Sequence, residues 1–349
     1  MSGVSKAIVQ PLLSWYDAGH RDLPWRSEPA PYRVWVSEIM LQQTRVEAVR
    51  GYFSRWMNAL PDIPALAAAD EAVYTKLWEG LGYYSRVRNL HRAAVLLCEE
   101  YGGELPADYD RLLALPGVGE YTAGAVASIA FGLPVPAVDG NVLRVAARLD
   151  NDFTPITDAK FKKQTRERFA ALMPSDRPGD LNQSLMELGA TVCLPNGAPH
   201  CDDCPIQHLC EGFHRGNAAV LPLRAAKKAR RVENRTVLVV RCGQLVGLRQ
   251  RPKKGLLAGL WELPSLDGHL SPDELRAALT EMGWSVRKLL SLRPAKHIFT
   301  HVEWHMNGYY IELDNQPEPL TFVSPPALRA TYALPSAFRA FLNVIEEEL

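Results

Sequence analysis

Across the first 220 residues apolar positions recur every three or four residues, the period of an amphipathic helix. The stretches 32–43, 46–60, 72–79, 89–101 and 181–192 carry this spacing, and Pro61, Pro64, Gly102-Gly103 and Pro116-Gly117 punctuate them. The texture changes at 224–235, where Arg224, Lys227, Lys228, Arg230, Arg231 and Arg235 stand against one acid, Glu233, and no apolar period survives. A charge run of this kind reads as a solvated basic linker. The pattern therefore predicts a helical domain over 1–220, a linker over 221–235 and a separate domain over 236–349. In the latter, 236–240 and 245–248 are short β-branched or apolar runs, and 301–313 partly alternates, as strands do. One amphipathic helix is expected over 271–282, with Ser271 as N-cap, Pro272 in the first turn and Glu274 three residues on. The C-terminal third is thus α+β, without internal repeats.

Composition narrows the class. The chain has 349 residues, 47% hydrophobic and 22% charged, enough apolar material for the cores of two or three domains. Its 26 prolines and 24 glycines are scattered without a short period, which excludes fibrous and disordered classes. The longest uncharged stretch, 121–138, is interrupted by Gly124, Gly132, Pro134 and Pro136 and is no spanning helix. Lys+Arg and Asp+Glu both number 39, so net charge neither suggests nor excludes nucleic acid; a DNA partner requires the basic residues to gather on one face. The opening residues lack a basic region followed by an apolar core, so no export signal is expected and a reducing compartment, the cytoplasm, is.

Of six cysteines, Cys98 and Cys242 are isolated, while Cys193-x7-Cys201-x2-Cys204-x5-Cys210 fall within 18 residues. Clustered thiols in a reducing compartment favour metal over disulfides. Structural zinc usually takes two close pairs separated by a longer loop. One C-x2-C pair with short gaps and Pro205 directly after a ligand suits an iron–sulfur cubane better; zinc stays open because His200 and His208 could substitute.

Two carboxylates stand in apolar surroundings. Glu38 has Val34, Trp35, Leu41 and Gln42 as helical neighbours, so no local cation pairs with it. Desolvation there favours the neutral acid, although a glutamate at a helix edge would look the same in sequence. Asp139 precedes the helical run beginning Gly140-Asn141-Val142, where it can serve simply as N-cap or be held ionised by backbone N–H groups and the positive helix end. One acid kept neutral beside another kept charged is the pairing that cleaves glycosidic bonds.

Three loops suit DNA. Leu115-Pro116-Gly117-Val118-Gly119 lets backbone N–H groups approach an anion, with Thr122 available to cap the next helix. The run from Gly80 to Asn89 interleaves Tyr83 and Tyr84 with Arg86 and Arg88, a mixture for stacking on bases and binding phosphate. Gln42 and Gln43 place amides where a vacated base stack could be filled.

Together the hairpin Leu115–Gly119, the run Val138-Asp139-Gly140-Asn141-Val142 and the four-cysteine loop resemble the endonuclease III superfamily of helix-hairpin-helix DNA glycosylases. Trp25-Arg26, the run from Ser37 to Thr44, the run from Gly80 to Asn89 and the C-terminal domain narrow the resemblance to adenine-specific mismatch glycosylases of the MutY type. It implies an all-α helix-hairpin-helix core, with its six-helix part near 31–140 and its cluster part over 1–30 and 141–220, followed by an α+β Nudix-like domain. The implied activity is removal of adenine opposite 8-oxoguanine or guanine in double-stranded DNA. The implied cofactor is one [4Fe–4S] cluster held by Cys193, Cys201, Cys204 and Cys210.

Carried over residue by residue, Glu38 protonates adenine and Asp139 stabilises the cationic sugar, by charge or by a transient adduct, with Tyr121 and Asn141 holding that aspartate. Arg26 and Gln183 line the adenine pocket, and Trp25 and Gln42 are further substrate-binding residues. Gln43 and Tyr83 act near the opposing oxoguanine, which Thr300 and His301 also contact. Gly117, Gly119, Arg86 and Arg88 hold the DNA backbone. Lyase members have a lysine at the place of Tyr121, and no lysine occurs from residue 77 to 159, so a monofunctional enzyme leaving an abasic site is expected.

The chain departs from the family pattern in a first cysteine gap of seven residues rather than six, and in Phe299-Thr300-His301 where Phe-Ser-His is usual. Nudix hydrolases carry metal-binding glutamates at the places of Ala277 and Thr280, so no magnesium site is expected. The protein is expected to act as a monomer without membrane attachment.

Overall fold

The structure is a computed structural model and describes residues 5–224 and 229–347. The helices α1 (Val9–Gly19), α2 (Pro31–Leu41), α3 (Val46–Ala59), α4 (Ile63–Ala67), α5 (Glu71–Leu77), α6 (Ser85–Tyr101), α7 (Tyr109–Ala114), α8 (Glu120–Phe131), α9 (Gly140–Leu149), α10 (Ala159–Ala170), α11 (Pro178–Thr191) and the short α12 (Glu211–His214) precede the first strand. The described residues divide into two compact units, one from Met1–Ala68 and Arg88–Ala226, the other from Ala69–Val87 and Lys227–Leu349. No helix among them is long and apolar enough to cross a membrane.

In the first unit, α1, α9, α10 and α11 share a core containing Leu12, Val145, Phe161, Phe169, Leu181 and Leu185. The five periodic stretches correspond to α2, α3, α5, α6 and α11 to within a few residues, and the differences carry information. Helix α2 stops at Leu41 rather than running on to Gln43, because Gln42 leaves helical geometry and Gln43 adopts a positive φ of 56°. Helix α6 starts at Ser85, four residues before the start of the periodic stretch 89–101. Thr122 does not cap α8. Gly119 is the N-cap, and Thr122 is buried one turn in, where its Oγ1 accepts from Gln42 Nε2 at 3.3 Å.

The second unit is built on a sheet of β1 (Arg231–Cys242), β2 (Leu245–Gln250), β3 (Trp261–Glu262), β4 (Ser265–Asp267), β5 (Val286–Ile298), β6 (Val302–Leu313) and β7 (Thr321–Val323). The order is β3-β2-β1-β6-β5, with β4 on β1 and β7 on β2; β1 and β6 run parallel, the other pairs antiparallel. Alternation along β1 sends Val237 and Val239 to one core, with Trp304 and Phe338, and Leu238 and Val240 to the other. The helix α13 (Pro272–Glu281) covers the second core and starts with the full capping box expected of Ser271 and Glu274. The remaining helices are α14 (Pro325–Thr331) and α15 (Arg339–Glu347).

The basic run needs a correction. Residues 225–228, including Lys227 and Lys228, lie outside the described residues, but from Arg231 onward the expected linker is strand, pairing in register with Val302–Met306 of β6. The charged side chains there are satisfied laterally: Glu233 takes Arg235 Nη2 at 2.9 Å and Trp304 Nε1 at 2.9 Å. A polar strand edge and a linker look alike in composition, and only pairing distinguishes them.

Candidate active site

Helix α2 opens with Pro31 at its first position and is apolar on nearly every face, so it is buried along its length and carries Glu38 inward. Glu38 is 5% exposed. Its carboxyl lines a cleft of about 840 Å³, within the range of ligand-binding sites and ample for a purine nucleoside. Asp139 reaches the same cleft from the N-terminus of α9. The two acids, 101 positions apart, thus open onto one cavity.

Their environments differ in donors. Tyr121 of α8, expected to hold Asp139, instead donates its hydroxyl hydrogen to Glu38 Oε2, and the Tyr121 hydroxyl oxygen lies 3.1 Å from Met186 Sδ. Burial pushes the Glu38 carboxyl up to about 7; the Tyr121 bond and the Arg26 charge oppose this, and Asp139 reinforces it. Burial also carries the Tyr121 phenol well above its ordinary value, so it stays a donor. Asp139 receives the backbone N–H groups of Asn141 and Val142, both at 2.9 Å, and Asn141 Nδ2 at 2.6 Å. Burial still raises its carboxyl above the ordinary range, so the expectation that backbone N–H groups and the helix end hold Asp139 low is corrected: in this cleft desolvation outweighs three hydrogen bonds and the nearby Arg144. With three donors against one, Asp139 is nevertheless the carboxyl better prepared to be an anion.

The cleft gathers most of the remaining site residues named above. Trp25, Arg26, Gln42, Gln43 and Gln183 lie on its wall, as do Gly117, Gly119 and Asn141. Gly117 has φ of +77°, and a Cβ there would stand 2.5 Å from Asn89 Cβ, so only glycine fits. Gly119 faces open space at the start of α8, where free N–H groups can meet a phosphate. Arg26 Nη2 binds Glu187 at 2.8 Å, Nη1 binds the Arg21 carbonyl at 3.0 Å, and the guanidinium lies 5.6 Å from the Tyr16 ring centre.

Other residues lie elsewhere. Tyr83 belongs to the second unit, where its hydroxyl shares a hydrogen bond of 2.8 Å with Thr300 Oγ1. Thr300 and His301 form the exposed turn between β5 and β6, closed by Phe299 N–H to the Val302 carbonyl at 2.8 Å. Arg86 does not stand free for phosphate. It is buried, Nη2 donates to the carbonyls of Leu81 and Gly82, its guanidinium packs on Trp78 and Tyr83, and burial pulls it down to about 10. It shapes the loop that presents Tyr83. Arg88 is half-buried on α6.

The four loop cysteines are free thiols on the wall of one small, largely apolar cavity beside α9 and α11. Arg148 Nη1 donates to Cys193 Sγ at 3.1 Å, Arg144 Nε to the Cys193 carbonyl at 2.7 Å, and the Cys210 thiol lies 3.3 Å from the Arg148 carbonyl. Burial pushes Cys204 up to about 12 and raises Cys201 and Cys210. Gathered thiols in so unfavourable a place ionise only against a strongly cationic centre. Among the described residues no three His, Cys, Asp or Glu side chains group about a single metal ion. The seven-residue first gap ends with the His200 N–H returning to the Val192 carbonyl at 2.9 Å.

Several residues of the site were not singled out in the sequence. Arg144 and Arg148 follow one another by one turn on α9, and Arg144 Nη2 also holds Asn141 Oδ1 at 2.7 Å. Glu187 lies one turn beyond Gln183 on α11 and lines the same cleft. Helical spacing from residues already chosen would have found all three.

Comparison with known proteins agrees with this architecture. Residues 36–172 match the family described as "HhH-GPD superfamily base excision DNA repair protein", and residues 236–344 match the "NUDIX domain". The mouse protein "Adenine DNA glycosylase" is 39% identical over 378 residues, spanning 91% of this chain and 72% of the mouse protein; the human one is 37% identical over 376 residues, 90% and 68%. Among solved structures, a thermostable thymine-DNA glycosylase superposes on 60% of this chain and 96% of its own, with TM-score 0.54 and 27% identity. An endonuclease III–DNA complex shares the fold, with TM-score 0.51 over 61% of this chain and 98% of its own at 24% identity. The chain belongs to the adenine DNA glycosylase family of base excision repair hydrolases, with a helix-hairpin-helix core and a Nudix-like C-terminal domain.

Proposed function

We propose that this protein removes adenine mispaired with 8-oxoguanine or guanine as a monofunctional hydrolase, with Glu38 as acid and Asp139 as electrostatic partner of the sugar. The observation that carries the reading is the convergence of the two carboxyls on one cleft, the first raised to about 7 and the second bound by three donors. The adenine must leave the stack to reach this cleft, at a cost of a few kcal/mol. Glu38 then gives its proton to the base, and the C1′–N9 bond breaks with its electron pair going to adenine. The Asp139 carboxylate faces the cationic sugar that remains. Water adds at C1′ and its proton returns to the Glu38 carboxylate, leaving an abasic site. No lysine stands at position 121 to form a Schiff base, and the Tyr121 hydroxyl is committed to Glu38, which supports hydrolysis without strand scission.

Cys193, Cys201, Cys204 and Cys210 would hold one [4Fe–4S] cluster; when bound it supplies a cross-link for the loop that rests on α9, the helix carrying Asp139. Tyr83, Thr300 and His301 are assigned to the base opposite adenine, supported by their exposure and by the Tyr83–Thr300 bond.

Glu38→Gln tests the central assignment. Single-turnover release of adenine should fall about 100-fold or more while the duplex is still bound. A variant that turns over at the unsubstituted rate defeats it. Product cut only after hot alkali supports the monofunctional reading, whereas scission in step with adenine release contradicts it.

A further inference from the structure

Glu187 is the most heavily paired acid of the cleft. It projects from α11 with 2% exposure and accepts Arg21 Nε at 2.7 Å, Arg21 Nη2 at 3.0 Å, the Arg21 backbone N–H at 3.1 Å and Arg26 Nη2 at 2.8 Å. Burial alone would raise it, but the two guanidinium groups hold it down at about 2, so it is an anion throughout the working range. A buried carboxylate joining two arginines serves packing in many proteins. Here, however, all three side chains line the cavity that contains Glu38.

We infer that Glu187 is a positioning residue of the reaction, which pins the Arg26 guanidinium to the cleft wall and balances its charge so that Glu38 can keep its proton. The inference rests on the reading of Glu38 as the acid. The groups that face Glu38 are Tyr121 of α8, Asp139 at the N-terminus of α9 and Arg26 from the segment before α2. Farther along the wall stand Arg21, Glu187, Lys162, and the ion pair of Glu120 with Arg166. Of the three that face Glu38, Arg26 is the permanent cation, and its charge works against protonation of Glu38. With Glu187 ionised, the Arg21–Arg26–Glu187 group carries one net positive charge; without that anion it carries two. Arg21 thereby becomes part of the same balance, with the opposite sign.

The test is the pH dependence of single-turnover adenine release, measured on either side of pH 7 with saturating enzyme. Glu187→Gln should move the midpoint of the alkaline limb down by about one pH unit, by leaving the Arg26 charge unbalanced, and raise the enzyme concentration that saturates the reaction through a loosened Arg26. Arg21→Gln removes a cation and should move the midpoint up. A uniform loss of rate with both midpoints unchanged would make Glu187 a strut and overturn the inference. Should Glu187→Gln fail to fold, Glu187→Asp keeps the charge with a shorter reach and must retain the midpoint while slowing the reaction; the Arg21→Gln shift then decides. Glu38→Gln in the same assay separates the two ideas. If it retains the rate, the acid assignment fails; if it is inactive while Glu187→Gln leaves the midpoint in place, only the charge balance fails.

Discussion

Glu38 and Asp139 meet beneath the surface of a helical unit, on elements fixed by packing, whereas Tyr83, Thr300 and His301 stand exposed on turns of a unit built round a sheet. The first arrangement removes water from ionisable groups until a carboxyl keeps its proton near neutrality. The second keeps polar groups hydrated and available, and ties two of them by a hydrogen bond of 2.8 Å. Bond cleavage requires shifted proton affinities, which come from burial. Recognition of a base requires groups that can exchange water for a partner, which burial would prevent. On the proposed function, one chain separates these demands between two units.

Four variants probe that separation, from the largest effect to the smallest. Asp139→Asn should slow adenine release about 100- to 1,000-fold in rapid-quench experiments with little change in duplex affinity, because it removes the anion from the cleft. A loss below tenfold would move the chemistry away from this pair. Glu38→Gln should do something unusual for a core substitution and stabilise the protein at alkaline pH. A folded-state pKa raised from 4.5 to about 7 means that stability present below 4.5 is lost as pH rises through 7. Denaturant melts should therefore show the variant ahead by about 3 kcal/mol above pH 8 and equal to the unsubstituted protein at pH 4. A constant difference across pH would contradict a buried neutral acid.

Thr300→Ala combined with His301→Ala should lower the preference for oxoguanine over guanine about tenfold, leaving the rate on a saturated substrate in place. If the saturated rate collapses instead, recognition and chemistry are not separable. Tyr83→Phe, which loses only an exposed hydrogen bond, should change stability by about 0.5 kcal/mol or less and weaken lesion binding slightly, as titration of a labelled duplex would report.

Much of the cleft was legible because its residues obey local rules. Asp139 is an N-cap ahead of Gly140 and Asn141, Gly117 occupies a conformation that disfavours side chains, and Glu38 interrupts an apolar helix without a cation at helical spacing. What misled was also local. Thr122 has capping chemistry but sits one turn too deep. Arg86 has phosphate-binding chemistry, yet two carbonyls and two rings claim it first. The basic run resembles a linker because charged strand residues and solvated coil share a composition. Neither a propensity nor a motif states which neighbour reaches a side chain before a ligand does.

The amino-acid sequence by itself determined the helical texture of the first 220 residues and the strand-rich texture of the C-terminal third, the set of thiols, and two carboxylates in apolar surroundings, since each follows from composition and spacing over short stretches, whereas residues 69–87 join the sheet unit only in the folded chain. The tertiary structure decided that those carboxylates open onto one cleft, that desolvation overrides the helix end at Asp139, and that Glu187 and Arg21 surround Arg26. Desolvation and charge depend on distances between residues remote in the chain, and such distances come into being only when the helices pack.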